Sequence, residues 1–370
     1  MPLPSQPPET DLIFPLPAEG ETWDPCLIHT HYFGFAIPEE RIGALLYIRY
    51  QPGFPLCGGG VEFYRGMDNL SLTTVEHIDY ELTMPWPQVE GNKVTTRNGL
   101  SFDFVEPGKR MELAYTAADG TASMNVTAEA ITPLCARGHV LPDEELHTNQ
   151  APGGSEQFMH MTGSLTLGGD TFAVDCNYIR DRSWRQVRYE RRDASLYPPI
   201  AWTPMYFGEH LSFNQIGFED PASGPVWKGD FNIPDGAPHH NWGWLCRDGE
   251  LLNIIKVRRK VTRLHPIHLV ALNQEMEITD ERGDTYLVRG EAIGFAPIPG
   301  WHNLASLETL TRWEDETGAI AYGPSQTFWG PKGGRSMLKA STFSLTSQVT
   351  SQPAGWASAL PVAGRAESPH

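Results

Sequence analysis

Leu165-Thr166-Leu167-Gly168-Gly169-Asp170-Thr171-Phe172-Ala173-Val174 reads as two strands that turn on a glycine pair. Apolar and polar residues alternate on either side, the period of a half-buried strand, and adjacent glycines supply the positive φ that a tight hairpin turn demands. The same punctuation recurs at Arg97-Asn98-Gly99-Leu100, Asp119-Gly120, Asp248-Gly249, Arg282-Gly283-Asp284 and Thr317-Gly318. Turn signals at this density, with almost no 3.6-residue periodicity, predict an all-β protein of antiparallel sandwiches or barrels. Residues 304–311 are the one stretch of any length that could be helical.

A chain of 370 residues is long enough for two such units. Its 36 glycines and 31 prolines are many for a helical protein, and 11 Trp, 12 Tyr and 16 Phe suit a β fold with an apolar cavity. Residues 137–155 break the alternation with charges, Pro and Gly, and mark a boundary. The expected organisation is a flexible lead over 1–20, a first β domain over 21–155, a second over 156–345 and a flexible tail over 346–370.

Asp and Glu number 45 against 28 Lys and Arg, a net charge of −17. That excludes nucleic acid as a partner, which requires a basic face, and disfavours anionic membrane surfaces. No apolar run approaches the roughly 18 residues of a membrane span, so no stable membrane insertion is expected. The five cysteines, Cys26, Cys57, Cys135, Cys176 and Cys246, are odd in number, scattered and without a CxxC pair. They read as buried thiols in a reducing, cytoplasmic compartment. There is no P-loop and no GxSxG elbow, and Gly58-Gly59-Gly60 does not form a dinucleotide fingerprint.

The hairpin runs on into Tyr178-Ile179-Arg180-Asp181-Arg182-Ser183-Trp184, the densest chemistry in the chain. A carboxylic acid in an apolar pocket has a raised pKa and can protonate an alkene or a leaving hydroxyl. Strand alternation turns Arg180 and Arg182 away from Asp181. The competing reading is a plain salt bridge with the neighbouring arginines. A second cluster, Pro238-His239-His240-Asn241-Trp242-Gly243-Trp244, offers His239 or His240 as an acid, base or hydrogen-bond partner. Adjacent histidines face opposite sides of a strand and cannot readily share a metal. His29 and His31 do share a face, but no complete ligand set accompanies them, so a metal enzyme is a third reading. Trp202, Tyr206, Phe207, Trp301, Trp313, Phe328 and Trp329 line a cavity or fill a barrel.

Residues 177–184 resemble the signature of the carotenoid 1,2-hydratase (hydroxyneurosporene synthase) and AttH-like family. That family carries Tyr-x-Asp-His-Asn-x-Gly or Arg-Asp-His-Ser-Trp-Gly after a glycine-turn hairpin. Trp23, Tyr32-Phe33, Pro38-Glu39-Glu40 and the strand over 42–50 are similar to its opening, and Ala321-Tyr322-Gly323 with Trp329 to its closing strand. The resemblance covers most of residues 21–331. It implies two lipocalin-like antiparallel β domains packed together, an apolar cavity, no organic cofactor and water addition across an isolated terpenoid double bond. It puts Asp181 in the place of the proton donor and Tyr178 in that of the motif tyrosine. The motif histidine is Arg182 here, and the glycine after Trp184 is Arg185. A guanidinium cannot act as acid or base at neutral pH, but it can bind a substrate carboxylate or oxygen. His239-His240-Asn241-Trp242-Gly243 reads as a second copy of the signature that supplies the imidazole.

The sequence therefore predicts a cofactor-independent hydratase, dehydratase or isomerase acting on a small, apolar, terpenoid- or steroid-like alkene or alcohol. Asp181, Tyr178 and His240 are its expected catalytic residues. Arg182, Trp184, His239, Asn241, Trp242, Trp202 and Tyr206 are expected around the substrate, with no cofactor and no metal. A homodimer is left open. The alternative is a lipid- or terpenoid-binding protein without chemistry, favoured if arginines neutralise Asp181 outside any cavity.

Overall fold

The computed structural model describes residues 8–12, 16–136, 153–187, 200–218, 240–299, 305–330 and 335. Two antiparallel sheets account for almost all of them. The first contains β1 (Leu27–Ile37), β2 (Ile42–Gln51), β3 (Leu56–Arg65), β4 (His77–Pro85), β5 (Gln88–Glu90), β6 (Lys93–Thr95), β7 (Ser101–Glu106), β8 (Arg110–Thr116), β9 (Ala122–Ala130), β10 (Cys135–Ala136), β11 (Gly153–Leu167) and β12 (Asp170–Val187). The second contains β13 (Ile200–Trp202), β14 (Met205–Tyr206), β15 (Leu211–Phe218), β16 (His240–Arg247), β17 (Glu250–Leu264), β18 (Ala271–Asp280), β19 (Thr285–Pro297), β20 (Ala305–Asp315) and β21 (Ile320–Trp329).

The first sheet runs β4-β3-β2-β1-β12-β11-β9-β8-β7-β6-β5, with β10 on β11, and curls into a half-barrel. The second runs β13-β21-β20-β19-β18-β17-β16-β15-β14, and pairing of β13 with β15 closes it into an eight-stranded barrel. The all-β architecture is the one the hairpin signals predict. Gly168 and Gly169, at φ 59° and 100°, make the two-residue turn between β11 and β12. Asp248 and Gly249, at φ 51° and 81°, do the same between β16 and β17.

Strand pairing corrects the boundary expected at 155/156. β12 pairs with β1 and β11 with β9, so residues 153–187 complete the first sheet. The chain passes to the second sheet between Val187 and Ile200. A loop's composition marks a break in pattern, but only long-range pairing decides which sheet the next hairpin joins. Residues 137–152 and the tail over 346–370 lie outside the described residues. The lead, expected to be flexible, contains a short 3₁₀ turn over Pro8–Leu12 with Asp11 fully buried. Residues 305–315 form β20, not a helix. There β-branched Thr309 and Thr311 sit between two pairing partners, β19 and β21.

All eleven residues of β1 are buried. One face looks into the half-barrel, where Phe33 packs on Phe102 with ring centroids 4.8 Å apart. The other faces the barrel, where Tyr32 meets Trp202 edge-on at 5.4 Å. Phe158 of β11 extends this seam, touching Tyr206 and Trp244 of the barrel. The barrel interior is filled by Met205, Phe213, Leu252, Ile254, Ile278 and Trp313. All five cysteines are free thiols.

Candidate active site

A seam between two sheets ordinarily packs apolar side chains. Here it holds a cluster of acids and phenols. Glu62 and Tyr64 come from β3, Tyr32 from β1 and Tyr178 from β12, and they meet Glu308 on β20 and Gln326 on β21. Glu308 is fully buried and accepts three hydrogen bonds. Tyr32 Oη donates to Oε2 at 3.3 Å, Tyr64 Oη to Oε1 at 3.2 Å and Gln326 Nε2 to Oε2 at 2.8 Å. Glu308 and Gln326 are directly opposed in the β20–β21 register, so strand pairing itself sets the amide donor.

Two glycines make room for the tyrosines. A Cβ at Gly43 would lie 2.3 Å from the Tyr64 ring, and one at Gly34 would lie 2.6 Å from the Tyr178 ring and 3.0 Å from Tyr32 Oη. Gly43→Ala is therefore expected to leave β2 paired but to push Tyr64 away from Glu308. A crystal structure of the variant checks this, and an unmoved Tyr64 would contradict it.

Burial sets the electrostatics. It raises the Glu308 carboxyl to about 7, even though the donors Gln326, Tyr64 and Tyr32 favour the ionised form. Burial, reinforced by the charge of Glu308, raises Glu62 to about 9. The Glu62 carboxyl is 1 % exposed, and neither oxygen has a hydrogen-bond partner among the described residues. Burial and the Glu308 charge also hold the Tyr32, Tyr64 and Tyr178 hydroxyls well above their usual range, so they stay protonated donors. At neutral pH the cluster thus contains one protonated carboxyl and one poised between its two forms. Paired carboxyls driven apart in this way divide into an acid and a base.

The same shifts govern stability. Glu62 keeps its proton in the folded protein up to about pH 9, whereas the unfolded chain loses it near 4.5. Its contribution is complete below 4.5 and is lost as pH rises toward 9, at about 1.4 kcal/mol per pH unit. His29 and His31, held neutral by burial and then by Arg182, act oppositely below pH 6.5. Between pH 7 and 8 the carboxyl effect dominates; nearer 9 the thiols of Cys57, Cys135, Cys176 and Cys246, raised by burial, add to it with the same sign. Denaturant melts across that window are expected to show falling stability, and a flat or rising profile would contradict the assignment.

The heptapeptide singled out in the sequence divides between the two faces of β12. Asp181 is half-buried and lies opposite Tyr32 of β1 and Glu156 of β11, on the seam side. Glu156 is buried and takes a hydrogen bond from Asn214 of the barrel, whose Oδ1 accepts from Trp202 Nε1 at 2.8 Å. Tyr178 joins the cluster, Trp202 flanks it on Tyr32, and Tyr206 sits beyond it on Phe158. Arg182 and Trp184 take the face of β12 opposite to Asp181. Tyr178 shares their parity, and its ring reaches the cluster across the space that Gly34 leaves. Arg182 donates to the Thr10 carbonyl, and its guanidinium stands 5.6 Å from the Trp184 ring. The expected grouping of Arg182 and Trp184 with Asp181 is thereby corrected. His239 lies outside the described residues, and of His240, Asn241 and Trp242 only the backbone, in β16, is described.

Sequence reasoning missed Glu62, Glu308, Tyr32, Tyr64 and Gln326 as site residues. The available signal was an acid inside an otherwise uncharged run, as in Val61-Glu62-Phe63-Tyr64 and Leu307-Glu308-Thr309-Leu310. Reading 304–311 as helical hid the two-residue phase that places Glu308 and Leu310 on one face.

Fold and site define a protein of a half-barrel and a closed barrel with two buried carboxyls at their seam. The chain belongs to the family described as a domain of unknown function, DUF7064, which matches residues 22–329. No curated protein matches it. Among solved structures it is similar to kievitone hydratase from Nectria haematococca, at 11 % identity and TM-score 0.47, over 82 % of this chain and 88 % of that one. An AttH candidate from Nitrosomonas europaea matches with the same identity and TM-score, over 85 % and 99 %.

Proposed function

We propose that the protein is a cofactor-independent acid–base lyase, a hydratase or dehydratase, working at the seam between half-barrel and barrel. The observation that supports this reading is Glu62: a buried carboxyl with no hydrogen-bond partner among the described residues, beside a second carboxyl held by three donors. In the hydration direction, the π electrons of an alkene form a C–H bond with the Glu62 proton, leaving Glu62 ionised. The adjacent carbon becomes cationic and faces the rings of Tyr32, Tyr178 and Trp202, whose quadrupoles favour positive charge. Water adds through its oxygen and gives its proton to the Glu308 carboxylate. That proton returns to Glu62 through solvent, and we assign the return to Asp181, half-buried opposite Tyr32. The net reaction is alkene plus water to alcohol. Dehydration is the reverse, and a shifted double bond results if Glu308 takes a proton from a different carbon.

Aromatic walls and a carboxyl kept neutral suit an apolar terpenoid- or steroid-like substrate. General acid–base catalysis supplies about 10²–10⁴ in rate, and the preorganised phenols of the seam must contribute the rest. The test is incubation with a panel of terpenoid alcohols and alkenes in D₂O, read by gas chromatography with mass detection. An alkene is expected to be converted to an alcohol with one deuterium bound to carbon, or an alcohol to an alkene with loss of water. Absence of both conversion and deuterium exchange across the panel would overturn the reading.

A further inference from the structure

Behind the seam, on the inner face of the half-barrel, two guanidiniums are buried side by side. Arg180 is 2 % exposed and Arg182 1 %. Arg180 grips Asp11 with a two-pronged fork, Nη1 to Oδ1 at 2.8 Å and Nη2 to Oδ2 at 2.9 Å. The Gly108 amide adds a bond to Oδ2 at 2.6 Å, and Arg182 donates to the carbonyl of Thr10. The occupant arrives from far away in sequence, on a five-residue 3₁₀ turn.

The receiving groups are fixed without it. Gln157 Oε1 accepts from Arg180 Nε at 3.0 Å and from Nη2 at 2.6 Å. Gln157 is itself locked by its amide, which donates to the carbonyls of Gly108 and Thr132, each at 2.9 Å. The rings of Phe33 and Trp184 lie 5.9 and 5.6 Å from the two guanidinium carbons. Bidentate contact from a preoriented arginine, with a backbone amide alongside, is how proteins recognise a free carboxylate.

We propose that Arg180, Arg182, Gln157 and the Gly108 amide form a binding site for a small carboxylate that also carries a carbonyl acceptor, of the N-acyl-aspartate type, and that Asp11 with the Thr10 carbonyl is its built-in competitor. The Asp11 side chain and the preceding carbonyl have the chemistry of N-acetyl-aspartate. A ligand of this kind displaces the turn and frees the start of the chain. The site is separate from the seam cluster and does not depend on the reaction assigned there.

Arg180 buried without its carboxylate carries a large desolvation penalty, so emptying the site creates a measurable demand for an anion. The test uses the full chain with Asp11→Ala, titrated with sodium acetate and with N-acetyl-L-aspartate amide against sodium chloride at equal ionic strength. Calorimetry and thermal melting are the readouts. The variant is expected to bind N-acetyl-L-aspartate amide about ten-fold or more tighter than the wild type. Its melting temperature should rise with the carboxylates and not with chloride, and Arg180→Met added to the variant should abolish both effects. A folded variant that responds to carboxylate no more than to chloride would overturn the proposal, as would equal binding by variant and wild type. If Asp11→Ala does not fold, Asp11→Asn is measured in the same way. If neither folds, refolding restored by acetate supports the site, and refolding indifferent to acetate refutes it.

Discussion

Glu62→Gln should lower turnover of whatever substrate the panel reveals by about 10²–10⁴. The same variant should be more stable than the wild type at alkaline pH. Both effects follow from one fact: the carboxyl is buried, protonated and without a hydrogen-bond partner among the described residues, with its titration pushed to about 9. Glutamine keeps the shape and the neutrality but has no acidic proton to give, so chemistry fails while packing survives. It also removes a group that ionises only in the unfolded chain. The stability difference between variant and wild type should therefore widen by about 1.4 kcal/mol for each pH unit from about 5 toward 9. At the acid end that gain vanishes, because both side chains are then neutral and both are buried without a partner among the described residues. Denaturant melts of both proteins at several pH values provide the check. A pH-independent difference would show that Glu62 titrates normally, and unchanged turnover would remove it from the mechanism.

Gly60→Ala should prevent folding or cost about 4 kcal/mol or more, a loss in the exceptional range for a single substitution. Gly60 lies within β3 at φ +146°, and a Cβ there would fall 1.9 Å from the Asp79 carbonyl oxygen and 2.6 Å from Asn98 Nδ2. β4 pairs along that edge and β2 along the other, so neither neighbour can give way without breaking a ladder. Its neighbour Gly59, at φ +143°, is equally tight against the Tyr47 carbonyl, at 2.0 Å. These close approaches hold β3 in the position that carries Glu62 to the seam. Circular dichroism and denaturant unfolding of Gly60→Ala measure the loss, and a variant of wild-type stability would show that the strand yields more easily than its contacts imply.

The turns were legible in the sequence because their causes are local. Gly168-Gly169 and Asp248-Gly249 announce two-residue hairpins, since backbone with positive φ excludes most other residues. Alternation around them gave the strands, and the strands gave the all-β class. Sheet membership was not legible. Nothing near residue 155 says that Asp181 will lie opposite Tyr32, about 150 positions upstream in the chain, because that pairing is made by strands meeting only after collapse.

The candidate site shows the same division. Asp181 and Tyr178 drew notice because their chemistry is concentrated in seven residues, and alternation correctly separated Asp181 from Arg180. Glu62 and Glu308 are single acids in unremarkable strands, 246 positions apart by their numbering. The sequence by itself determined the hairpins, the β class and the two-sided character of β12, each fixed by the steric limits of a few adjacent residues. Only the tertiary structure decided which acids share a dry seam. A carboxyl's proton affinity depends on how much water it loses and which charges come near, and both are set by distant strands closing over it.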